Sequence, residues 1–257
     1  ELASLVRTEL MAFSDANTLW AADALEWLTP AFADPSVGGV SGRLRLRAGS
    51  EATGVEGRYW DLESAVKGWE SDLGTTIGAN GAIYAIRAAL WRPLPEDRPL
   101  MDDFVIGCRV VEGGARLLFE PRALAWESTS VELGQEVRRK RRIFVANFCG
   151  VPLLLGLLRP SLPAVFYVSR KLLRWLTPWV LLLLAASAWS ARETAPGRAL
   201  LGLGLGWLAA AFLYGAGLRA RVLTPFYYML LLQWELARGL VVAFWGRPAP
   251  AWERSAR

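Results

Sequence analysis

A chain of 257 residues is long enough for one large or two modest domains, and its mean hydropathy of +0.26 is high for a soluble protein. The absence of His and the presence of only two Cys exclude a zinc site and a disulfide framework, so any catalysis is expected to depend on carboxylates. The net charge of +5 does not indicate a nucleic-acid partner, because the Arg clusters at 138–142, 170–174 and 219–221 adjoin apolar segments, as juxtamembrane clusters do.

Up to about residue 145 the sequence mixes charged and apolar side chains as a globular domain does, and its predicted strands and helices indicate an α/β fold. Apolar residues at 59, 62, 66, 69 and 73 follow a 3, 4, 3, 4 spacing, which predicts an amphipathic helix. The predicted strands are Leu10–Phe13, Val37–Arg47, Ala82–Ile86, Arg116–Phe119 and Ala123–Trp126, the last two on either side of Pro121. The other predicted helices are Ala21–Phe32 and Asp102–Glu112, and a glycine turn spans 78–81.

Beyond about residue 150 the composition becomes rich in Leu, Ala and Trp, which predicts an α-helical transmembrane domain. Residues 133–171 are expected to be amphipathic and interfacial, and 246–257 form a basic tail. The three predicted spans are 172–190, 199–218 and 222–245. The third carries Glu235 and Arg238 one turn apart, either as a functional intramembrane ion pair or because the segment lies partly in the interface.

Two oxygen-bearing side chains, Asp15 and Asn17, follow the first strand in the sequence Phe-Ser-Asp-Ala-Asn-Thr at 13–18. Open α/β sheets bind ligands at such strand ends, and hard cations such as Mg²⁺ or Mn²⁺ prefer oxygen ligands shared with a diphosphate. On the motif alone, ordinary turn chemistry remains the commoner explanation.

Two further groups are candidates for chemistry. Asp102 and Asp103 begin a predicted helix, where they either cap free N–H groups or, because adjacent carboxylates repel, provide a general base of raised pKa. The basic run at 138–142 either binds lipid headgroups or places arginines that clamp phosphates.

Read in order, these motifs resemble the membrane-embedded family 2 glycosyltransferases, the inverting enzymes that include cellulose, hyaluronan and poly-N-acetylglucosamine synthases. Phe13–Thr18 resembles the family's D-x-D motif, Tyr59–Arg87 resembles its acceptor-side helix and glycine turn, and Asp102–Phe104 resembles its acidic motif. The basic run is similar to the Q-x-x-R-W motif, with Arg139, Arg142 and Ile143 at the Q, R and W positions.

The resemblance implies a partial glycosyltransferase A-type domain, over 1–132, that lacks most of the nucleotide-binding half, so that this fragment alone is expected to be inactive. It implies Asp103, beside Asp102, as catalytic base, Asp15 and Asn17 as ligands of Mg²⁺ or Mn²⁺, and Arg139, Arg142 and Asp15 as groups that bind the donor diphosphate. Asn17 supplies no charge where the family has a second acid, so weaker metal binding is expected.

The expected function is transfer of a sugar from a nucleotide-diphospho-sugar, most simply a UDP-sugar, to a polysaccharide or lipid acceptor. The protein is expected to be a multi-pass protein of the inner (plasma) membrane, with the lipid bilayer as a partner and the catalytic domain cytoplasmic. Two alternatives stay open: a lipid glycosyltransferase of the ceramide type that adds one sugar, and a truncated, non-catalytic membrane subunit.

Overall fold

The computed structural model describes residues 5–47, 52–128 and 133–246, which fall into two compact units. The first unit holds the described residues up to 128 together with Gly150–Arg170. The second unit holds Leu133–Cys149 and residues 171–246. Most of the predicted basic tail, from 247 onward, lies outside the described residues.

The first unit is built on one five-stranded sheet of mixed direction, with strand order β1-β4-β3-β5-β2. Only β3 and β5 are parallel, and the other three pairings are antiparallel. The strands are β1 (Leu10–Phe13), β2 (Thr18–Trp20), β3 (Val37–Arg47), β4 (Tyr84–Arg87) and β5 (Arg116–Ser128). The predicted bounds of β1 and β3 are confirmed.

The prediction of two short strands separated by Pro121 is wrong, because β5 runs through this residue. It is one strand that keeps its pairing with β3, but its register shifts where Gly42 lies opposite Glu120 and Arg43 lies opposite Leu124. Proline has no N–H for the ladder, so the strand accommodates Pro121 at this irregularity instead of ending there.

Helices cover the sheet and form two apolar clusters. Short helix α1 (Ala24–Leu28) and the 3₁₀ turn Pro30–Ala33 pack with β3 and β5 through Leu28, Val40 and Leu44. Helix α3 (Asp102–Glu112) packs through Ile106 and Val110 on Met11 and Ile86. The predicted bounds of α3 are confirmed, with Gly113 at its C-cap.

Helix α2 (Ala52–Asp72) packs on β3 and β5 with its polar side inward. An amphipathic helix normally turns its apolar stripe to the core. In α2 the stripe is exposed instead: Leu62 is 61%, Trp69 63% and nearby Leu73 63% accessible to solvent, whereas Lys67 and Glu70 are buried. The sequence pattern therefore predicts the helix correctly but does not predict which side of it is buried.

The second unit is helical. Its long helices are α4 (Leu133–Gly150), α7 (Thr177–Ser190), α8 (Ala195–Gly215) and α9 (Thr224–Trp245). Two short helices lie between α4 and α7: α5 (Leu162–Phe166), which belongs to the first unit, and α6 (Leu173–Trp175). Among the described residues, the helical stretches Val137–Leu158 and Ala195–Gly215 are long and apolar enough to cross a membrane.

The predicted span 172–190 is not one straight helix. The stretches Leu162–Trp175 and Thr177–Ser190 meet at a 69° bend and would together make a third candidate crossing. Pro178 explains the break, because proline is tolerated in the first turn of a helix but removes a hydrogen bond from its interior.

Helix α9 is not among the candidate spans in the part of the chain described. Buried Glu235 of α9 accepts two hydrogen bonds from Arg141 of α4, at 2.5 Å from Nε and 2.7 Å from Nη2. Close to this pair Gly239 lets α9 approach α4, since a Cβ there would lie 3.0 Å from that of Phe144. The partner that the structure gives Glu235 is therefore Arg141 of α4, 94 residues away in sequence, and not Arg238 of the same helix.

Candidate active site

The turn at residues 78–81 lies at the centre of the candidate site. Gly78 has a φ of +77°, which favours glycine, and a Cβ there would lie 2.5 Å from the Phe104 ring. The N–H of Asn80 donates to the Ser41 hydroxyl on β3 (3.1 Å), and Asn80 Oδ1 accepts from the N–H of Ala82 (3.2 Å). These bonds fix the turn to the sheet and set the position of Gly81.

Gly81 joins the two acidic motifs, although 88 residues of sequence separate Asp15 from Asp103. The N–H of Asp15 donates to the Gly81 carbonyl (3.0 Å), and the N–H of Gly81 donates to Asp103 Oδ2 (2.7 Å). A Cβ on Gly81 would lie 3.0 Å from Asp15 Oδ2 and 3.2 Å from Asp103 Oδ2. Both carboxylates therefore converge on the space that a side chain at position 81 would fill.

Asp103 has the electrostatics of a general base. Burial and the repulsion of Asp102 raise its pKa from 3.8 to about 6, against the opposing effects of the N–H groups of Phe104 and Gly81 and the charge of Lys67. The sequence alone does not show whether the helix terminus, which lowers the pKa of Asp103, or the neighbouring acid, which raises it, has the larger effect. Burial decides the balance, and a pKa this close to neutrality suits proton transfer.

Tyr84 on β4 is buried within electrostatic range of the acidic groups and was not predicted to belong to the site. Its ring stacks on Phe13, with centroids 4.5 Å apart. Burial first, and then the carboxylates of Asp103, Asp102 and Asp15, raise the pKa of its hydroxyl. The three predicted acids thus act on one buried phenol, which remains neutral beside them.

Asn17 forms a contact that its motif does not predict. Its Nδ2 donates to Glu127 Oε1 at 2.6 Å, because β2 and β5 pair with Thr18 opposite Glu127. The family-like motif has no second acid, yet this strand pairing brings an acid to Asn17. No local sequence signal identifies Glu127, which is 110 residues away.

The donor set for a metal is small. No group of three or more His, Cys, Asp or Glu side chains that could hold a metal occurs within residues 5–47, 52–128 and 133–246. Mg²⁺ commonly takes only one or two protein carboxylates and completes its shell with substrate phosphates and water. Asp15, exposed and aimed at the Gly81 space, fits this second arrangement.

Arg139 and Arg142 lie on α4, in the second unit. Asp15, Asp102 and Asp103 lie in the first unit. A role for the two arginines at the donor diphosphate remains a prediction.

A buried charge cluster on the inward side of α2 was not predicted from the sequence. Arg170 donates to Glu63 Oε1 at 2.5 Å and also to Glu70 Oε2, and all three side chains are at most 14% exposed. Arg170 belongs to a π-helical turn, Tyr167–Leu172, a geometry often found where function constrains a helix.

This cluster, Glu63–Arg170–Glu70, supports the segment that leads to Gly81. Glu70 Oε2 also accepts from Thr76 Oγ1 (2.8 Å) and from the N–H of Ile77 (3.4 Å). Buried charges are retained only when paired and hydrogen-bonded. The cluster is therefore a positioning element for residues 76–81 and, through Gly81, for both carboxylates.

The fold and the acidic pair define a mixed α/β domain of the glycosyltransferase A-like class. A family model described as "Glycosyltransferase like family 2" matches residues 1–146, and the chain belongs to that family. No curated protein matches the chain significantly.

Among solved structures, the chain is similar to the mannosyltransferase PcManGT from Pyrobaculum calidifontis in complex with GDP-Man and Mn2+. The TM-score is 0.61 and the sequence identity 22%, over 95% of this chain and 64% of that one. At this identity the likeness shows the fold, and the chain spans less than two thirds of the length of that protein.

Proposed function

We propose that the protein is an inverting glycosyltransferase that moves a sugar from a nucleotide-diphospho-sugar to a hydroxyl of a polysaccharide or glycolipid acceptor at a membrane. The observation that carries the proposal is the convergence of the Asp15 and Asp103 carboxylates on Gly81. A base and a diphosphate-side acid, held by one residue, are what a single displacement at a sugar carbon requires.

Asp103 acts as the base. Its carboxylate takes the proton of the acceptor hydroxyl while that oxygen forms a bond to the anomeric carbon. The bond from this carbon to the phosphate oxygen breaks at the same time, and the nucleoside diphosphate leaves with the electron pair. Attack from the side opposite the leaving group inverts the anomeric configuration.

The departing diphosphate needs its negative charge stabilised. Asp15, with the Asn17 carbonyl beside it, would hold Mg²⁺ or Mn²⁺, which when bound supplies positive charge to the diphosphate oxygens. The resemblance also implies Arg139 and Arg142 as groups that bind a diphosphate, and that role stays a prediction. The Mn2+ and GDP-Man of the similar mannosyltransferase are consistent with a metal and a nucleotide sugar here.

The donor nucleotide is proposed to be UDP, as the resembling synthases imply, and GDP is the competing candidate that the mannosyltransferase suggests. The membrane setting is supported by two candidate spans, and the bent pair, counted as one span, makes a third. We place the protein in the inner (plasma) membrane as a multi-pass protein, with the catalytic domain on the cytoplasmic side where nucleotide sugars are available.

The decisive experiment compares Asp103→Asn with the parent protein, each expressed in its full native length in membranes. Transfer from labelled UDP- and GDP-sugars to endogenous acceptors should fall by about 10²–10⁴-fold, because general-base catalysis is lost. Expression and membrane recovery should not change. The matched control is Asp97→Asn, which removes an exposed acid paired with Arg98.

Transfer retained by Asp103→Asn would overturn the assignment of the base, and a parent protein inactive with every nucleotide sugar would support a non-catalytic subunit. A product of lipid-soluble monoglycoside would favour a glycosyltransferase of the ceramide type over a polymer synthase.

A further inference from the structure

An apolar cavity of about 600 Å³ lies between α8 and α9 in the second unit. The residues that line it on α8 recur every three or four positions, so they share one side of that helix near its C-terminal end. Cavities of this size that are lined mainly by apolar side chains are typical of ligand sites. The lining includes Leu208, Phe212, Gly215, Ala216, Tyr227 and Leu230.

The cavity is open because small residues of α8 face α9, and large apolar side chains surround it. A Cβ on Gly215 would lie 3.4 Å from Tyr227 Cε2, so a longer side chain there would enter the cavity. Phe212 is 74% exposed, and Leu208 is exposed as well. Apolar surface of this kind is stabilised when a hydrocarbon chain covers it.

The turn between α8 and α9 places positive charge at one end of the cavity. Arg219 Cζ lies 4.7 Å from the centre of the Tyr214 ring, and this ring lies 5.0 Å from that of Tyr227, which lines the cavity. Arg221 begins the 3₁₀ turn that precedes α9, and both arginines are exposed. Two aromatic rings in contact therefore connect the guanidinium of Arg219 to the apolar cavity.

The sequence around this turn favours an anionic ligand. No acidic residue occurs from 194 to 234, so this stretch of the chain has a net positive charge. The next acid along the chain, Glu235, accepts two hydrogen bonds from Arg141. Basic groups beside membrane helices attract the anionic head groups of lipids.

An apolar cavity that ends at two arginines matches a lipid with an anionic head group. A soluble phosphate would leave the cavity unfilled, and a neutral lipid would gain nothing from the arginines. A second copy of the chain related by a two-fold axis would present the same surface, and with it the same arginines, to its partner. Like charges would then face each other across the interface.

We infer that the cavity between α8 and α9 binds one acyl chain of an anionic phospholipid, whose phosphate lies against Arg219 and Arg221. This inference rests on the membrane setting given under the proposed function and is independent of sugar transfer. It goes beyond the bilayer as a general surrounding, because one lipid molecule of defined charge is held at one site.

The test measures phospholipid binding to the purified full-length protein in a mild detergent by native mass spectrometry. The probes are dioleoyl phosphatidylglycerol and dioleoyl phosphatidylcholine, which have the same acyl chains and differ in head-group charge. The parent protein should retain one phosphatidylglycerol, with a Kd at least about tenfold lower than that for phosphatidylcholine. Arg219→Gln with Arg221→Gln should remove this preference. Gly215→Leu should weaken the binding of both lipids, because it fills the cavity beside Tyr227.

The matched control is Arg192→Gln with Arg198→Gln, which removes the same charge at the other end of α8. Arg192 also lies over an aromatic ring, 5.3 Å from the centre of the Trp189 ring, but it is paired with Glu193 at 3.5 Å. This control should keep the preference for phosphatidylglycerol. Thermal unfolding gives a second measurement, because a lipid that binds the folded protein raises Tm in the parent and the control but not in the Arg219→Gln, Arg221→Gln variant.

Equal affinity of the parent protein for the two lipids, or an unchanged preference in Arg219→Gln with Arg221→Gln, would overturn the inference. An equal loss in the control variant would also overturn it, because net charge alone would then explain the binding. Displacement of the lipid by soluble glycerol phosphate would show that the cavity is not used. Tighter binding of a polyprenyl phosphate would assign the cavity to a lipid-linked acceptor instead. These measurements need no sugar transfer, so an inactive protein would contradict the proposed function without deciding this inference.

Discussion

Helices α2 and α3 both pack against strands β3 and β5, yet α3 buries apolar side chains and α2 buries charged ones. Helix α3 buries apolar residues such as Ile106 and Val110 and presents its charged end, Asp102 and Asp103, to the candidate site. Helix α2 buries Glu63, Lys67 and Glu70 and exposes Trp69.

The two helices therefore have different roles in the candidate site. The carboxylate of α3 faces the space where reaction is proposed, whereas the buried charges of α2 hold the segment on which that carboxylate depends. Removing the buried charges of α2 should therefore affect stability and activity together, whereas displacing the carboxylates at the end of α3 should affect activity much more than stability.

The largest effect is expected from Arg170→Met, which removes the cation that forms ion pairs with both Glu63 and Glu70. Glu63 and Glu70 would both lose their hydrogen bonds to this buried cation, and breaking a buried ion pair costs about 3–5 kcal/mol. Thermal and denaturant unfolding of the detergent-solubilised protein should show this loss, and transfer activity should fall with it.

The matched control is Arg122→Met, which removes an equally direct ion pair with Glu120 from a side chain that is 61% exposed and lies 4.0 Å over the Trp27 ring, and which should lower Tm far less. Adding Glu63→Gln and Glu70→Gln to Arg170→Met should recover part of the stability, because no uncompensated charge remains. An unchanged Tm in Arg170→Met would show that the cluster does not support the segment.

The next effect is expected from Gly81→Ala, which tests the end of α3. The new Cβ would contact both Asp15 and Asp103 and push the carboxylates apart. Displacing catalytic groups by about 1 Å can cost about 10²-fold in rate, and the carboxylates must move here by a few tenths of an ångström, so transfer should fall by about tenfold while Tm changes little. Gly57→Ala, in α2, is the control because its Cβ would meet nothing within 4 Å. A rate equal to that of the parent protein would mean that the two acids do not act together.

The sequence predicts elements better than it predicts their partners. Strand β3 and helix α3 have the predicted bounds because their patterns are local: a run of alternating residues in one case and a capped apolar periodicity in the other. The buried side of α2 was not predictable, because a buried salt-bridge cluster with Arg170, 100 residues beyond Glu70, overrides the apolar stripe.

The same limit applies to the candidate site. Asp15, Asp102 and Asp103 were predicted from motifs, and the structure brings them together. Gly81 as their meeting point and Glu127 as the partner of Asn17 depend on strand register and on a turn fixed by Ser41. Such contacts arise from tertiary structure and leave no local pattern.

A smaller effect, graded with pH, follows from the raised pKa of Asp103. A base of pKa about 6 must lose its proton to act, so kcat/KM should fall about tenfold per pH unit below 6 and level off above it. A flat profile between pH 5 and 7 would contradict the role of Asp103.

The raised pKa of Asp103 favours proton transfer but lowers the stability of the folded protein near neutral pH. Because the pKa in the folded state lies above the ordinary value of 3.8, the folded protein binds this proton more tightly, and stability falls as pH rises from about 4 through 6. Asp103→Asn should therefore raise Tm at pH 8 but not at pH 4, although it lowers transfer by about 10²–10⁴-fold.

The smallest effect is expected at the proposed metal site of Asp15 and Asn17. The position of Asn17 depends on the pairing of β2 with β5 and not on α2 or α3. Asn17→Asp alone would place a second carboxylate against Glu127, where Asn17 Nδ2 now donates at 2.6 Å. The double variant Asn17→Asp with Glu127→Gln reverses the direction of this hydrogen bond and keeps the added acid beside Asp15. Since hard cations favour additional carboxylate ligands, the Mn²⁺ concentration for half-maximal transfer should fall several-fold in the double variant and less in the single one. An unchanged metal requirement in both would mean that position 17 does not contribute to metal binding.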